Sequence, residues 1–299
     1  VGKEWRWKTD DPGFIVEQAV QTHVKMIQET KGIPGVQMDR WKEAHTVRHC
    51  ALSLVGEPIM YPRINELLGE LHQRNISTFL VTNGQHPPAI ASLRPITQLY
   101  VSVDAPTKDS LIAIDRPLFV DAWERLRQSL SSLKQKGQRT VARLTVVKGW
   151  NSDEISGYAE LIALGLVSLI EVKGVTFCGK SDASNLNMSN TPWHHEVVDL
   201  AKTLKEELAR LRKLDSSIPE YDLACEHKHS CSVLLARVDQ FAVGENGSRQ
   251  WRTWIDYDKF QELAVRHAED PTFTFTVTDY TAETPSWALF GASEEGFDP

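Results

Sequence analysis

Lys173 ends the run Leu169-Ile170-Glu171-Val172-Lys173, with Glu171 two residues before it. Strand side chains alternate faces with a period of two, so this spacing places Glu171 and Lys173 on one face and Ile170 and Val172 on the other. A lysine held away from water keeps a neutral amine and can condense with a carbonyl substrate as a Schiff base; the alternative for Lys173 is an ion pair with Glu171. Lys148, just past the run at 139–147, is the second candidate for that chemistry. Arg143 and Thr145 share a face of that run, and a mid-strand arginine needs a ligand or a carboxylate such as Asp104 or Glu171. Ser102 and Asp104 share a face at the end of the run at 98–104.

Two loops add further candidates. Gly56-Glu57-Pro58 follows the run at 49–55. Glycine lets backbone approach a ligand, Glu57 can accept from an ammonium group, and Pro58 fixes the exit. Thr82-Asn83-Gly84 ends the run at 77–83. Asn-Gly is also a common tight-turn pair, so the shared placement of both loops at strand ends is the stronger signal.

Five strand-like runs, at 49–55, 77–83, 98–104, 139–147 and 169–173, must position these residues. Helices are expected between and after them at 62–74, 88–93, 110–114, 121–136, 152–164 and 192–214. Repeated βα units imply parallel strands with right-handed crossovers. Polar residues on one strand face and Leu, Ile and Val on the other imply an α/β barrel with a working interior, its chemistry at the carboxyl ends of the strands. Ser102, Arg143 and Lys173 are expected to point into that interior. From residue 216 the pattern shifts to shorter strands at 221–225, 233–238 and 252–257, a turn at Gly244-Glu245-Asn246-Gly247 and a helix at 258–267. Trp287, Leu289 and Phe290 form an apolar cluster expected to dock on the body. The expected division is a barrel over 1–215 and a C-terminal α+β extension over 216–299.

With 299 residues, 41% of them hydrophobic and 24% charged, the chain has an ordinary globular composition and ample length for a core. No apolar run is long enough for a membrane span, and no charged-then-apolar N-terminal segment resembles a signal peptide. A net charge of −7 argues against broad nonspecific nucleic-acid binding, though not against a local basic patch. Cys50, Cys178, Cys225 and Cys231 lack metal-site spacing, and so few cysteines suit a reducing, cytoplasmic compartment. His194-His195 is a poor chelate on a helix, and His227 with His229 could share a strand face, but no metal is expected there. Trp5, Trp7, Trp251, Trp254 and Trp287 are read as packing residues, with base stacking as the alternative. Because the chain opens Val1-Gly2 without Met, it is expected to be a piece of a longer protein.

At Leu52-Ser53-Leu54-Val55-Gly56-Glu57-Pro58-Ile59-Met60-Tyr61-Pro62 and Phe79-Leu80-Val81-Thr82-Asn83-Gly84 the chain resembles radical S-adenosylmethionine enzymes. With Gln98-Leu99-Tyr100-Val101-Ser102-Val103-Asp104-Ala105, Asp115-Arg116-Pro117-Leu118, Arg143-Leu144-Thr145-Val146-Val147-Lys148, Ile170-Glu171-Val172-Lys173-Gly174-Val175-Thr176 and Trp287-Ala288-Leu289-Phe290-Gly291-Ala292-Ser293, it resembles one family over nearly its whole length. That family is the tRNA wybutosine-synthesising radical enzymes, or tRNA 4-demethylwyosine synthases. No single stretch would suffice; together they are specific.

The resemblance implies a partial (βα)6-type barrel of the radical S-adenosylmethionine class and a carbon–carbon lyase-class activity. It implies that a reduced [4Fe–4S] cluster cleaves S-adenosylmethionine and that the resulting radical takes hydrogen from the methyl group of N1-methylguanosine in phenylalanine tRNA. Pyruvate, held on a lysine, supplies the carbon for the tricyclic 4-demethylwyosine base. Gly56, Glu57 and Pro58 match the motif that holds the methionyl amino group, and Asn83, Ser102, Asp104 and Arg143 match positions lining the cofactor and substrate space. Lys173 is the first choice for the pyruvate lysine and Lys148 the second. The Cys-x3-Cys-x2-Cys cluster loop of the family, and the first strand before it, are expected upstream of Val1, as is a flavodoxin-like FMN domain acting as electron donor. By itself this piece is expected to be inactive, and a monomer without membrane association. Two alternatives stay open: a cluster-free tRNA-binding pseudoenzyme, and a cluster-free Schiff-base lyase using Lys173 or Lys148.

Overall fold

The computed structural model describes residues 2–53, 56–179, 185–244 and 249–298. Two helices precede the first strand, α1 at Pro12–Glu29 and α2 at Met38–Glu43, in a region where the sequence patterns had suggested no element. The Asp11 side chain accepts the Phe14 N–H and Pro12 occupies the first turn, a start signal that marks α1 locally. Strands and helices then alternate: β1 His49–Leu52, α3 Ile64–Gln73, β2 Ser77–Thr82, α4 Pro87–Ser92, β3 Gln98–Ser102, α5 Lys108–Asp115, α6 Ala122–Ser132, β4 Arg139–Val146, α7 Ile155–Gly165, β5 Leu169–Gly174 and α8 His194–Leu214. The expected run at 49–55 ends in Leu54 and Val55, which lie outside the described residues, as do residues 245–247 of the expected turn.

After α8 come β6 Tyr221–His227, β7 Ser232–Arg237, α9 Val238–Phe241 and α10 Tyr257–Glu269. The sheet runs β1-β2-β3-β4-β5-β7-β6. From β1 to β5 every pair is parallel; β7 joins β5 antiparallel, and β6 joins β7 antiparallel. The protein is therefore of mixed α/β class with a mostly parallel sheet, and the segment after residue 216 contributes two strands to it. The strand expected at 252–257 shrinks to Trp254–Ile255, paired with Thr281–Ala282.

The two faces of the sheet differ as the alternation requires. Leu80, Leu99, Val101, Leu144, Ile170 and Val172 are buried in one apolar core with residues of α3, α6, α7 and α8. Val81, Tyr100, Ser102, Arg143, Thr145, Glu171 and Lys173, on the opposite face, are only half-buried. At the amino ends of the strands that second face is closed by the C-terminal region, where Val141 and Leu169 pack with Phe241, Trp251, Phe260, Phe275 and Tyr280. The Tyr280 hydroxyl accepts the Arg139 N–H at 2.8 Å and donates to the Thr97 carbonyl at 3.1 Å. Arg139 itself is buried and donates to the Thr253 carbonyl at 2.7 Å. What remains open is the carboxyl half of the polar face.

Phe290 and Leu289 dock as expected: the Phe290 N–H donates to Ala224 at 3.0 Å, and Leu289 bridges to Cys225. Packing does not describe all the tryptophans. Trp251 is buried, whereas Trp7 and Trp254 are exposed, because neither lies over one of the two apolar cores.

Candidate functional site

β1 leads to Gly56, whose φ of 76° is a left-handed conformation that glycine adopts without strain. That turn delivers Glu57 beside the end of β2. The Glu57 Oε2 atom accepts the Asn83 backbone N–H at 3.0 Å, whereas Oε1 is buried with no hydrogen-bond partner. Burial pushes the Glu57 carboxyl above the usual carboxylate range, partly offset by the Asn83 N–H it accepts. Pro58 opens the short 3-10 turn Pro58–Met60 that turns the chain toward α3. At the end of β2, Gly84 takes a φ of 72°, and Asn83 Oδ1 accepts the Gln85 N–H at 3.0 Å.

β3 delivers Ser102 and, two residues later, Asp104. Asp104 Oδ1 accepts the Thr145 N–H at 3.3 Å, and its carbonyl accepts Asn151 Nδ2 at 2.8 Å. Burial raises the Asp104 carboxyl despite those bonds and the nearby Arg143 charge. Gly56, Glu57, Asn83, Ser102 and Asp104 all line one cavity of about 420 Å³. Asp115, at the end of α5, lines it too. Asp115 is exposed in part, yet the protein around its carboxyl pushes it up to about 7, with the charge of Asp104 adding to the shift. Asp115 lay within one of the quoted family-like stretches but had not been singled out, since helical periodicity gives no sign of what a helix terminus faces.

Register carries the site across the sheet. Ser102 stands opposite Arg143, Arg143 opposite Glu171, and Thr145 opposite Lys173. Arg143 Nε lies 3.9 Å from Glu171 Oε2 and is buried without a hydrogen-bond partner. A guanidinium left in this state is suited to an anionic ligand. Lys173 is half-buried on the same face and makes no hydrogen bond or ion pair with any described residue. Lys148 differs: it is exposed, and its ammonium is ion-paired with Glu196 on α8, which holds the Glu196 carboxyl below the usual range. The ion pair weighed for Lys173 with Glu171 does not form.

The histidines do other work. His194 Nε2 bonds Glu226 Oε2 at 2.8 Å, and Glu226 Oε1 accepts the Gly291 N–H at 2.7 Å. His227 and His229 do not share a strand face, because residues 228–230 form a 3-10 turn. Among the described residues no group of three His, Cys, Asp or Glu side chains gathers to hold a metal ion, and no helix is long and apolar enough to cross a membrane.

A family model for wyosine base formation matches residues 164–237, which include Lys173. The S-adenosyl-L-methionine-dependent tRNA 4-demethylwyosine synthase of Oryza sativa subsp. japonica is 56% identical over 100% of this chain and 43% of that protein. The human synthase TYW1 is 55% identical over 100% of this chain and 39% of that protein. The chain thus spans about two fifths of the length of these curated relatives. A solved structure of TYW1 with a lysine-pyruvate adduct bound superposes with a TM-score of 0.67 at 32% identity, covering 77% of this chain and 70% of that one. The crystal structure of an archaeal TYW1 superposes with a TM-score of 0.63 at 29% identity, covering 79% and 74%. With its open polar face, its cavity at the strand ends and these matches, the chain belongs to the tRNA 4-demethylwyosine synthase family.

Proposed function

We propose that the protein is the S-adenosylmethionine- and pyruvate-binding part of a radical tRNA 4-demethylwyosine synthase. On this assignment it builds the tricyclic base from N1-methylguanosine in phenylalanine tRNA in the cytoplasm, by lyase-class chemistry. Its sheet is the core of a partial (βα)6-type barrel: β1 to β5 are parallel, consecutive in space and separated by helices, which supports that description. On this assignment 1–215 is the barrel and 216–299 an extension that adds β7 and β6 to the same sheet and packs its aromatic residues at the amino ends of the strands.

The observation that carries the proposal is the unpaired Oε1 of Glu57, buried at the wall of a cavity that Ser102 and Asp104 also line. An ammonium group satisfies such an atom, and Asp104 and Asp115 add two further carboxyl groups to the cavity wall, alongside Arg116. The residues present therefore fit the methionyl end of S-adenosylmethionine. When bound, that cofactor supplies the hydrogen-abstracting adenosyl group. Glu57 holds its amino group, the backbone turn at Gly56 brings the chain close, and Asn83, Ser102 and Asp104 line its place. Arg143, whose buried Nε makes no hydrogen bond, offers its guanidinium to the pyruvate carboxylate. Lys173, free of partners among the described residues, condenses with the pyruvate ketone.

The described residues do not fit an iron–sulfur cluster. Cys50, Cys178, Cys225 and Cys231 are free and belong to no metal-type grouping. On this assignment the cluster and an FMN electron donor are held outside this chain. The decisive assay supplies the full-length protein with its cluster, S-adenosylmethionine, pyruvate and phenylalanine tRNA bearing N1-methylguanosine. Mass analysis of the nucleosides should show 4-demethylwyosine; its absence with intact cofactor and tRNA binding would overturn the assignment.

A further inference from the structure

Trp5 and Trp7 lie on the segment ahead of α1, and no role assigned above uses them. Trp5 is 36% exposed and Trp7 56% exposed. Their rings meet edge to face with centroids 5.3 Å apart, and Trp5 meets Tyr61 in the same way at 5.7 Å. The Tyr61 hydroxyl donates to the Asp10 carbonyl at 2.7 Å, which ties the segment to the end of the turn that follows Glu57. Among the described residues no ring lies parallel to either indole, so a stacking position for a planar group stays open.

The pair stands beside the cofactor cavity. Lys3, Trp5, Tyr61, Arg63 and His86 line a second cavity of about 440 Å³. Such a volume lies within the roughly 300–1,000 Å³ of ligand clefts. Met60 and His86 line both cavities and form their common wall. His86 makes no hydrogen bond with any described residue. Burial, with the Arg125 charge adding to it, holds its imidazole below the usual histidine range. A neutral imidazole offers one donor and one acceptor to the edge of a base.

The charges suit a polyanion. Lys3, Arg6 and Lys8 make no ion pair with any described residue, and Lys3 lies over the Phe119 ring at 5.8 Å. Two neighbouring carboxylates are already engaged, since Arg63 binds Asp11 at 3.2 Å and Glu66 at 2.5 Å. The segment 2–10 thus sets the unpaired cations Lys3, Arg6 and Lys8 against the unpaired carboxylates Glu4 and Asp10. Exposed aromatic faces interleaved with cations fit a single nucleic-acid strand, whose bases stack and whose phosphates are neutralised.

We propose that Trp5 and Trp7 stack a base next to the N1-methylguanosine of the tRNA, with Lys3, Arg6 and Lys8 facing the adjoining phosphates. The proposal rests on the tRNA substrate assigned above and adds a contact beyond the guanosine itself. A methyl group on N1 occupies the position through which guanine pairs, so the target lies in an unpaired stretch. Unpaired bases are the ones that splay out onto aromatic side chains. The shared wall at Met60 and His86 then sets the stacked base beside the place where the guanosine meets the cofactor.

The test is tRNA binding by the full-length protein, followed by fluorescence anisotropy of labelled phenylalanine tRNA bearing N1-methylguanosine. Trp5→Ala and Trp7→Ala should each weaken binding ~5-fold or more, with the salt dependence and the S-adenosylmethionine affinity kept. Arg6→Ala should lower the salt slope by about one. Removing the base on one side of the guanosine should weaken binding to the wild-type protein, and this loss should not add to that of Trp5→Ala. Fully additive losses for base removal on both sides would overturn the proposal. So would unchanged tRNA affinity in the Trp5→Ala/Trp7→Ala double variant with native circular dichroism, the rings then being covered by another segment of the longer polypeptide. A wild-type protein that binds no tRNA would overturn the functional assignment instead.

Discussion

The Glu57 carboxylate accepts the Asn83 backbone N–H at 3.0 Å, tying the exit of β1 to the exit of β2. One oxygen is spent on that tie and the other is left buried and unpaired. In the full-length protein, Glu57→Ala should weaken S-adenosylmethionine binding by roughly 30-fold, since a hydrogen bond to a charged group contributes about 2 kcal/mol. Isothermal titration decides it; an unchanged dissociation constant would remove Glu57 from the cofactor site.

Asp115 gives the same cavity a pH dependence. Its carboxyl is pushed up to about 7 by burial and by Asp104. A carboxyl with a raised value loses its charge as pH falls through that value, so a cationic ligand loses attraction below it. Affinity for S-adenosylmethionine should therefore fall between about pH 8 and pH 6, and Asp115→Asn should flatten that slope. Parallel slopes in the two proteins would place the titrating group elsewhere.

Tyr280 tests whether the C-terminal region is part of the sheet's stability. Its hydroxyl serves both the Arg139 N–H and the Thr97 carbonyl in a buried setting. Tyr280→Phe leaves two backbone groups unsatisfied and should cost about 2–3 kcal/mol in denaturant melts. The loss should appear within one cooperative transition. A separate early transition, with the rest of the melt unmoved, would show that residues 216–299 unfold independently.

Lys148 makes an exposed ion pair with Glu196. Lys148→Ala should change stability by less than about 1 kcal/mol, as exposed pairs do, and leave pyruvate trapping intact. Loss of trapping in a stably folded variant would return the role to Lys148.

The strand expectations at 77–83, 98–104, 139–147 and 169–173 fall close to β2, β3, β4 and β5. Ser102, Arg143 and Lys173 were legible as one face because alternation is a local property of the chain. The cavity residues Gly56, Glu57, Asn83 and Asp104 were legible because loops at strand carboxyl ends converge in parallel sheets. What stayed hidden depends on distant partners. The fate of Lys148 is set by Glu196 on α8, and the insertion of β7 between β5 and β6 is a tertiary choice that no local pattern records. α1 was missed for another reason: of its apolar residues only Pro12 and Val16 are buried, so the helix carries a weak core-facing pattern, and the Asp11-Pro12 start was its only strong sign.

The most direct measurement is the mass of the borohydride-reduced peptide after incubation with pyruvate. The account predicts a reduced pyruvate adduct on the peptide containing Lys173 and none on the peptide containing Lys148. An adduct on Lys148, or one that persists at full yield in Lys173→Ala, would contradict it.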